Sequence, residues 1–452
     1  MTGVSDNGSE ARSWGSEAKG WRGMLAAFRR DRLMRSIGWY CIAEGGTRVS
    51  KLVTTVMLAR MLGPVDFGVA AIAITVFEFI RVFANNGIGQ MVIRASAADL
   101  DATCNAAYRA NLIICAASAA LHIVAGAAIA YFTGRAELFG MIALLGTVYV
   151  LMIPSLLPVY LLVRRSAIKS VALASMAFVI ADNILTVLLV LNGFGAWSIV
   201  LPRILSLPVW IIAVRRCQTW TPNPAAGSIP TADVVRFVAP IIASELLAAL
   251  RFTLDKVLVW AILGIEALGV YYFAFNAGIG FSLSLTSALS NSLYPELARL
   301  AGQPRRMLRR LDRALIRSAL PISAVIGLQA ALVFVYVPVV FGAHWAGSVA
   351  LVAMLCVSAI SKPYFDAGSQ LLRASGQPVV EVVGATMFTA LTLGLFAVGL
   401  TYGLFAGVAT LAAGCFALQL VFALWARGKV TARISIKGSR ARAVGLGKWI
   451  AT

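Results

Sequence analysis

Charge is scarce in this sequence. Only 13% of its 452 residues are Asp, Glu, Lys or Arg, about half the share with which a water-soluble domain covers its surface. That shortage excludes a soluble globular protein of this length. Histidine is nearly missing, with His122 and His344 alone, and the six cysteines (Cys41, Cys104, Cys115, Cys217, Cys356, Cys415) contain no CxxC pair. Neither a metal site nor a disulfide framework has support; buried free thiols account for the cysteines. The GxxxxGK[ST] phosphate loop is absent too. Gly428-Lys429 and Gly447-Lys448 have its dipeptide but run on into Val430 and Trp449, so neither ATP hydrolysis nor a bound cofactor is expected.

What fills the chain instead is apolar: 60% of residues are hydrophobic and the mean hydropathy is +0.85. The bilayer is the solvent for most of it. Acidic residues are the rarer sign, 19 against 39 basic, for a net charge of +20. Nucleic-acid domains carry such charge on a polar body, whereas this chain is apolar between its charge clusters, so no nucleic-acid partner is expected.

Apolar segments of about 20 residues or more can cross roughly 30 Å of hydrocarbon. They fall at 36–60, 64–88, 108–132, 137–161, 170–191, 194–214, 237–262, 267–293, 314–340, 345–370, 379–402 and 404–426, which predicts about twelve transmembrane helices. Gly63-Pro64, Asn192-Gly193 and Tyr402-Gly403 mark hairpins with very short turns. With the N-terminus inside, 30 of the 39 basic residues lie on inside segments and the outside turns hold only Arg60 and Arg135. That asymmetry predicts a multi-pass protein of the bacterial inner membrane with both termini cytoplasmic, and an affinity for anionic lipids.

The expected organisation is a basic cytoplasmic segment (1–35), a first six-helix lobe (36–214), a cytoplasmic linker (215–236) with Pro222, Pro224 and Pro230, a second six-helix lobe (237–426) and a basic tail (427–452). The apolar run starts too late for a signal peptide. Trp21, Leu25 and Phe28, among Arg22, Arg29, Arg30 and Arg32, fit either an interfacial helix or a disordered basic tail. The lobes look related. A shift of 201 residues sets Glu44 on Glu245, Val56 on Val257, Leu62-Gly63 on Leu263-Gly264, Gly68-Val69 on Gly269-Val270 and Ala73 on Ala274 without a gap. Two pseudo-symmetric lobes around a central cavity are a standard carrier plan.

Ionisable groups inside the bilayer are costly and so mark function. Glu44, Arg48 and Lys51 share a face of the first span, Glu78 and Arg81 stand three apart on the second, Arg251, Asp255 and Lys256 sit on the seventh, and Lys362 and Asp366 on the tenth. One reading makes these intrahelical ion pairs, the cheapest way to keep a charge in a poor solvent. The other makes Arg48, Lys51, Arg81, Arg251 and Lys256 the cationic lining of the cavity, suited to phosphate. Glu44, Glu78, Asp182, Glu245, Asp255 and Asp366 would then balance charge or couple an ion. Breakers at Gly45-Gly46, Asn85-Asn86-Gly87, Pro154, Pro158 and Pro338 are expected to open helices where protein or water meets the freed carbonyls.

Residues 58–70 (LARMLGPVDFGVA) and 83–94 (FANNGIGQMVIR) resemble the oligosaccharide flippase, or polysaccharide transport, family of the multidrug/oligosaccharidyl-lipid/polysaccharide exporter superfamily. Asp255-Lys256 followed by Leu263-Gly264, Tyr294-Pro295, and LRASGQP at 372–378 are similar to that family as well, so the resemblance extends over 36–426. It implies a two-lobe fold of about twelve helices that carries a polyprenyl-diphosphate-linked oligosaccharide to the outer leaflet by alternating access, for exopolysaccharide, capsule or O-antigen assembly. A polysaccharide polymerase and a chain-length regulator are the implied partners. The family has no invariant catalytic set. In the turn, Gly63 and Gly68 are expected to allow tight turning beside Pro64, and Asp66 to cap a helix N-terminus.

The expectation is thus a flippase and not an enzyme. A drug/cation antiporter of the same superfamily would favour an acidic, aromatic-lined cavity. A membrane-embedded sugar transferase or polymer ligase would need an outside loop with essential acids, and no outside loop exceeds about ten residues.

Overall fold

The computed structural model describes residues 32–84, 87–300 and 302–450. The pattern at Trp21, Leu25 and Phe28 lies outside the described residues, as do the side chains of Glu44 and Arg251. Among the described residues the chain is helical, with no strand. The helices are α1 (Arg32–Met61), α2 (Pro64–Ala84), α3 (Ile88–Arg94), α4 (Leu100–Thr133), α5 (Ala136–Arg164), α6 (Ile168–Leu191), α7 (Trp197–Leu205) and α8 (Leu207–Cys217). After the linker come α9 (Thr231–Ala298), α10 (Pro304–Ala314), α11 (Leu320–Tyr336), α12 (Val349–Ile360), α13 (Lys362–Ala374), α14 (Pro378–Leu400) and α15 (Leu404–Ile450).

Ten helical stretches among the described residues are long and apolar enough to cross a bilayer. The difference from twelve arises in two places. Helix α1 is the most polar of the long helices because it carries Glu44, Arg48 and Lys51. The expected seventh and eighth spans form one 68-residue helix, α9, broken only at Gly264, whose φ of 84° and ψ of −173° leave the helical region. A count of twelve requires α1 and both arms of α9 to cross.

The short hairpins follow from their glycines and prolines. Helix α2 opens on Pro64, two residues after Leu62, and Gly403 at φ 109° reverses the chain between α14 and α15. Pro338 lies in a π-helical turn, Val337–Phe341, that widens the end of α11. Pro154 and Pro158 do not open α5, contrary to expectation: the helix is continuous through both. Ser155, between them, bonds the Met152 carbonyl at 2.7 Å and receives Trp210 Nε1 at 3.2 Å, the kind of local polar support that lets proline persist in a membrane helix.

The chain divides into two compact units. The first holds residues up to Thr54, Ile80–Gly193 and Trp197–Ser244; the second holds Thr55–Phe79, Phe194–Ala196 and Glu245 onward. The tip of the α1–α2 hairpin therefore packs with the C-terminal helices, where the sequence-based lobes 36–214 and 237–426 keep it with the N-terminal ones. In the first unit α4 and α5 form a close antiparallel pair, with Gly146 against Ala119 and His122, small residues letting backbones approach. The linker after α8 is pinned to α4. Asn105 Nδ2 donates to the carbonyls of Asn223 and Gly227 at 2.7 and 2.8 Å, its Oδ1 accepts the Asn223 N–H at 3.2 Å, and Trp220 lies 5.3 Å from Tyr108.

In the second unit α10 is amphipathic. Met307 and Leu311 are buried in an apolar cluster with Leu297, Leu371 and Phe422, while Arg305, Arg306, Arg309 and Arg313 are exposed. Arg310 pairs with Glu296 at 2.6 Å and Asp312 with Arg427 at 3.1 Å.

Candidate functional site

The LARMLGPVDFGVA turn is an anchor within the second unit. Ala59 offers its carbonyl to Trp345 Nε1 at 2.7 Å and to His344 Nε2 at 2.8 Å. Arg60 donates through Nε and Nη2 to the carbonyls of Val340 and Val339 at 2.8 and 2.9 Å, which satisfies acceptors left over at the end of the π turn. Phe67 meets the edge of Trp345 at 5.5 Å, and Phe273 stacks on the same indole at 3.8 Å. The turn is a fixed point of the fold.

Two of its residues act differently from expectation. Gly68 lies inside α2, where a Cβ would collide with the carbonyl oxygen of Ile265; it permits a close backbone approach and makes no turn. Asp66 is the third residue of α2 and not its cap, because Pro64 already occupies the first helical position. Its carboxylate complements the positive end of the helix dipole instead. Gly63 has open space around it.

The contact is reciprocal. A Cβ on Gly269 would collide with the carbonyl oxygen of Pro64, and Pro64 and Gly68 correspond to Ile265 and Gly269 under the 201-residue shift. Each repeat thus offers its glycine to the other repeat's backbone, the pattern that a two-fold relation produces. The sequence match between the halves has a physical counterpart in this pairing.

A second polar centre lies deeper in the same unit, in a cavity of about 170 Å³ among α9, α12, α13, α14 and α15. Asp255 is its acid: Oδ2 accepts the Tyr271 hydroxyl at 2.8 Å, and Lys256 Nζ reaches both carboxylate oxygens at 3.1 and 3.2 Å. The same ammonium stands 4.4 Å from the centre of the Phe275 ring, a cation–π contact. Lys362, across the cavity, pairs with Asp366 at 3.1 Å. Ser361 donates to Gln419 Oε1 at 2.9 Å. Of the predicted residues the structure thus brings Asp255, Lys256, Lys362 and Asp366 into one locality. Tyr271 and Gln419, also on this cavity, went unnoticed: each sits in an apolar run with no charged neighbour to flag it.

The first unit carries the other predicted cations. Arg48 and Lys51 on α1 and Arg81 on α2 are exposed, while Glu78, in the second unit, is half-buried and Glu245, also there, is exposed. Asp182 is buried on α6, with Oδ2 3.8 Å from Arg203 Nη1 on α7 and Oδ1 unsatisfied. That pair crosses helices, so neither i, i+3 nor i, i+4 spacing could show it. Arg164 donates through one nitrogen to the carbonyls of Val92, Ile93 and Ala95 at 2.9, 3.0 and 2.7 Å, closing the C-terminus of α3. No cluster of three potential metal ligands occurs among the described residues.

Comparison with known proteins adds the following. Succinoglycan biosynthesis transport protein ExoT of Rhizobium meliloti (strain 1021) is 24% identical over 336 residues, which cover 74% of this chain and 68% of that protein. Among solved structures, the inward-facing conformation of a multidrug resistance MATE family transporter of the MOP superfamily superposes with a TM-score of 0.66 at 16% identity, covering 85% of this chain and 95% of that one. The inward closed conformation of the lipid II flippase MurJ gives 0.62 at 14% identity, covering 88% and 90%. These likenesses establish a shared fold. A family model described as polysaccharide biosynthesis protein matches residues 57–350. That stretch exceeds half the chain and takes in both the hairpin anchor and Asp255, and the chain belongs to the polysaccharide biosynthesis protein family.

Proposed function

We propose that this protein is a carrier, not an enzyme, that moves lipid-linked oligosaccharide units across the bacterial inner membrane for surface polysaccharide assembly. The observation that carries the reading is the coincidence of the polysaccharide family match over 57–350 with a helical fold shared with a lipid II flippase. The similarity to a succinoglycan transport protein points the same way. Both termini are cytoplasmic on this reading, since that orientation keeps the basic segments inside. A polymerase and a chain-length regulator act after the carrier.

The diphosphate of the substrate is assigned to Arg48, Lys51 and Arg81, which are exposed on their helices and whose guanidinium forks and ammonium suit phosphate oxygens.

The test is flipping in proteoliposomes. A fluorescent polyprenyl-diphosphate saccharide placed in both leaflets is exposed to a membrane-impermeant quencher, and the protein is expected to make the inner pool quenchable. Arg48→Ala and Arg81→Ala are expected to slow this while leaving insertion intact. Wild-type rates from both variants would remove the assignment of the diphosphate, and no flipping by the unmodified protein would remove the carrier.

A further inference from the structure

We infer that the cavity inside the second unit is a binding site for a single uncharged sugar ring. The inference rests on the carrier reading for its saccharide, but its geometry and test stand apart from transport. Size comes first. A volume of about 170 Å³ holds about six waters at roughly 30 Å³ each and falls short of the roughly 300–1,000 Å³ of pockets that engulf larger ligands. The cavity itself takes one ring.

Charge comes second. Asp255 is matched by Lys256 at 3.1 Å and Lys362 by Asp366 at 3.1 Å, so the walls present no uncompensated charge to a guest. A phosphate or a uronate would have to break an ion pair in a poorly solvated place, and so would a metal cation. A hydrocarbon chain is disfavoured for the opposite reason: it would give the Gln419 amide N–H groups no acceptor.

The remaining polar groups fit hydroxyls. Gln419 accepts from Ser361 through Oε1, and that leaves its amide N–H groups as donors. Thr389 and Thr392 give their protons to the carbonyls of Ala385 and Phe388, so their oxygens remain as acceptors, as does one lone pair of Asp255 Oδ1. The cavity thus offers the Gln419 amide as donor and several oxygens as acceptors, and a sugar hydroxyl is both at once. Phe275, Phe365 and Phe388 complete the lining and offer flat apolar faces to the C–H face of a pyranose.

Cys415 also lines the cavity, which supplies a reporter. The full-length protein, with its other five cysteines replaced by serine or alanine, is purified in detergent, and modification of Cys415 by methyl methanethiosulfonate is timed. Neutral hexopyranoses such as glucose, galactose or their methyl glycosides are expected to slow the reaction, by about half when the sugar concentration equals its Kd. Mannitol, glucuronate and pyrophosphate are expected not to. Gln419→Leu, which keeps the aromatic walls, is expected to abolish protection while leaving Cys415 reactive. Equal protection by mannitol or by pyrophosphate overturns the inference, as does the absence of protection by every hexopyranose tried or an unreactive Cys415. Because no lipid or flipping step enters the assay, its failure leaves the carrier to be judged by the proteoliposome experiment alone.

Discussion

The reciprocal glycines make the sharpest prediction. At Gly269 an added methyl would meet the Pro64 carbonyl oxygen, then the Pro64 carbonyl carbon at 2.7 Å and the Gly68 nitrogen at 2.8 Å. At Gly68 it would meet the Ile265 carbonyl oxygen, then Ile265 Cγ2 at 2.8 Å and the Ile265 carbonyl carbon at 2.9 Å. Nearly all of these are backbone atoms and cannot rotate aside, so the two segments must move apart. Overpacking of that kind costs about 1–3 kcal/mol, and the roughly 1 kcal/mol that alanine gains over glycine in a helix offsets only part of it. Gly68→Ala and Gly269→Ala are each expected to be destabilising, by up to about 2 kcal/mol. The double variant is the decisive one. Once either methyl has separated the segments the other finds room, so the double is expected to cost less than the sum, with a coupling of about 0.5–3 kcal/mol.

The assay is thermal unfolding of the purified protein in detergent at a fixed scan rate, since unfolding of such proteins is commonly irreversible. Gly394→Ala is the control, because a Cβ there has nothing within 4 Å; it should match or slightly exceed the unmodified protein. If Gly68→Ala and Gly269→Ala melt with the control, or if their costs simply add, the reciprocal contact between the repeats is refuted.

The other predictions concern polar contacts. Asp255→Asn removes the carboxylate that meets Lys256 at 3.1 Å and is expected to be destabilising, whereas Asp255→Asn with Lys256→Met should recover most of the loss; unfolding temperatures of the two variants check this. Arg164→Met leaves three carbonyls at the end of α3 without their donor and is expected to cost about 1.5–3 kcal/mol, read as a lower unfolding temperature. Asn105→Leu frees the linker from α4, so limited proteolysis is expected to cut within 218–230 faster than in the unmodified protein while the helices stay intact.

Much of the fold was legible because the bilayer imposes it. Long apolar segments, short Gly/Pro turns and the clustering of Lys and Arg follow from dehydrating a backbone and from refusing charge to hydrocarbon, and α2, α4, α5 and α6 lie where those rules put them. Lys362 and Asp366 were legible for a similar reason, since i, i+4 spacing puts two side chains side by side. What sequence could not show depends on neighbours far along the chain. Asp182 and Arg203 meet across two helices. Asp255 takes Lys256 and Tyr271, sixteen residues on and past the Gly264 break. Gly68 reads as a turn residue until Ile265 is set against it. Pro154 and Pro158 read as breakers, yet α5 runs on through both.

In the second unit each described cation facing the cavity is met by a carboxylate about one hydrogen bond away, and the acid that anchors the group also holds a tyrosine hydroxyl. Such a centre has little to offer an ion and much to offer a neutral polar guest, because its hydrogen-bonding capacity outlasts its charge. The uncharged rings of a lipid-linked saccharide are guests of that kind, whereas a purely anionic cargo would find both lysines of this centre already paired.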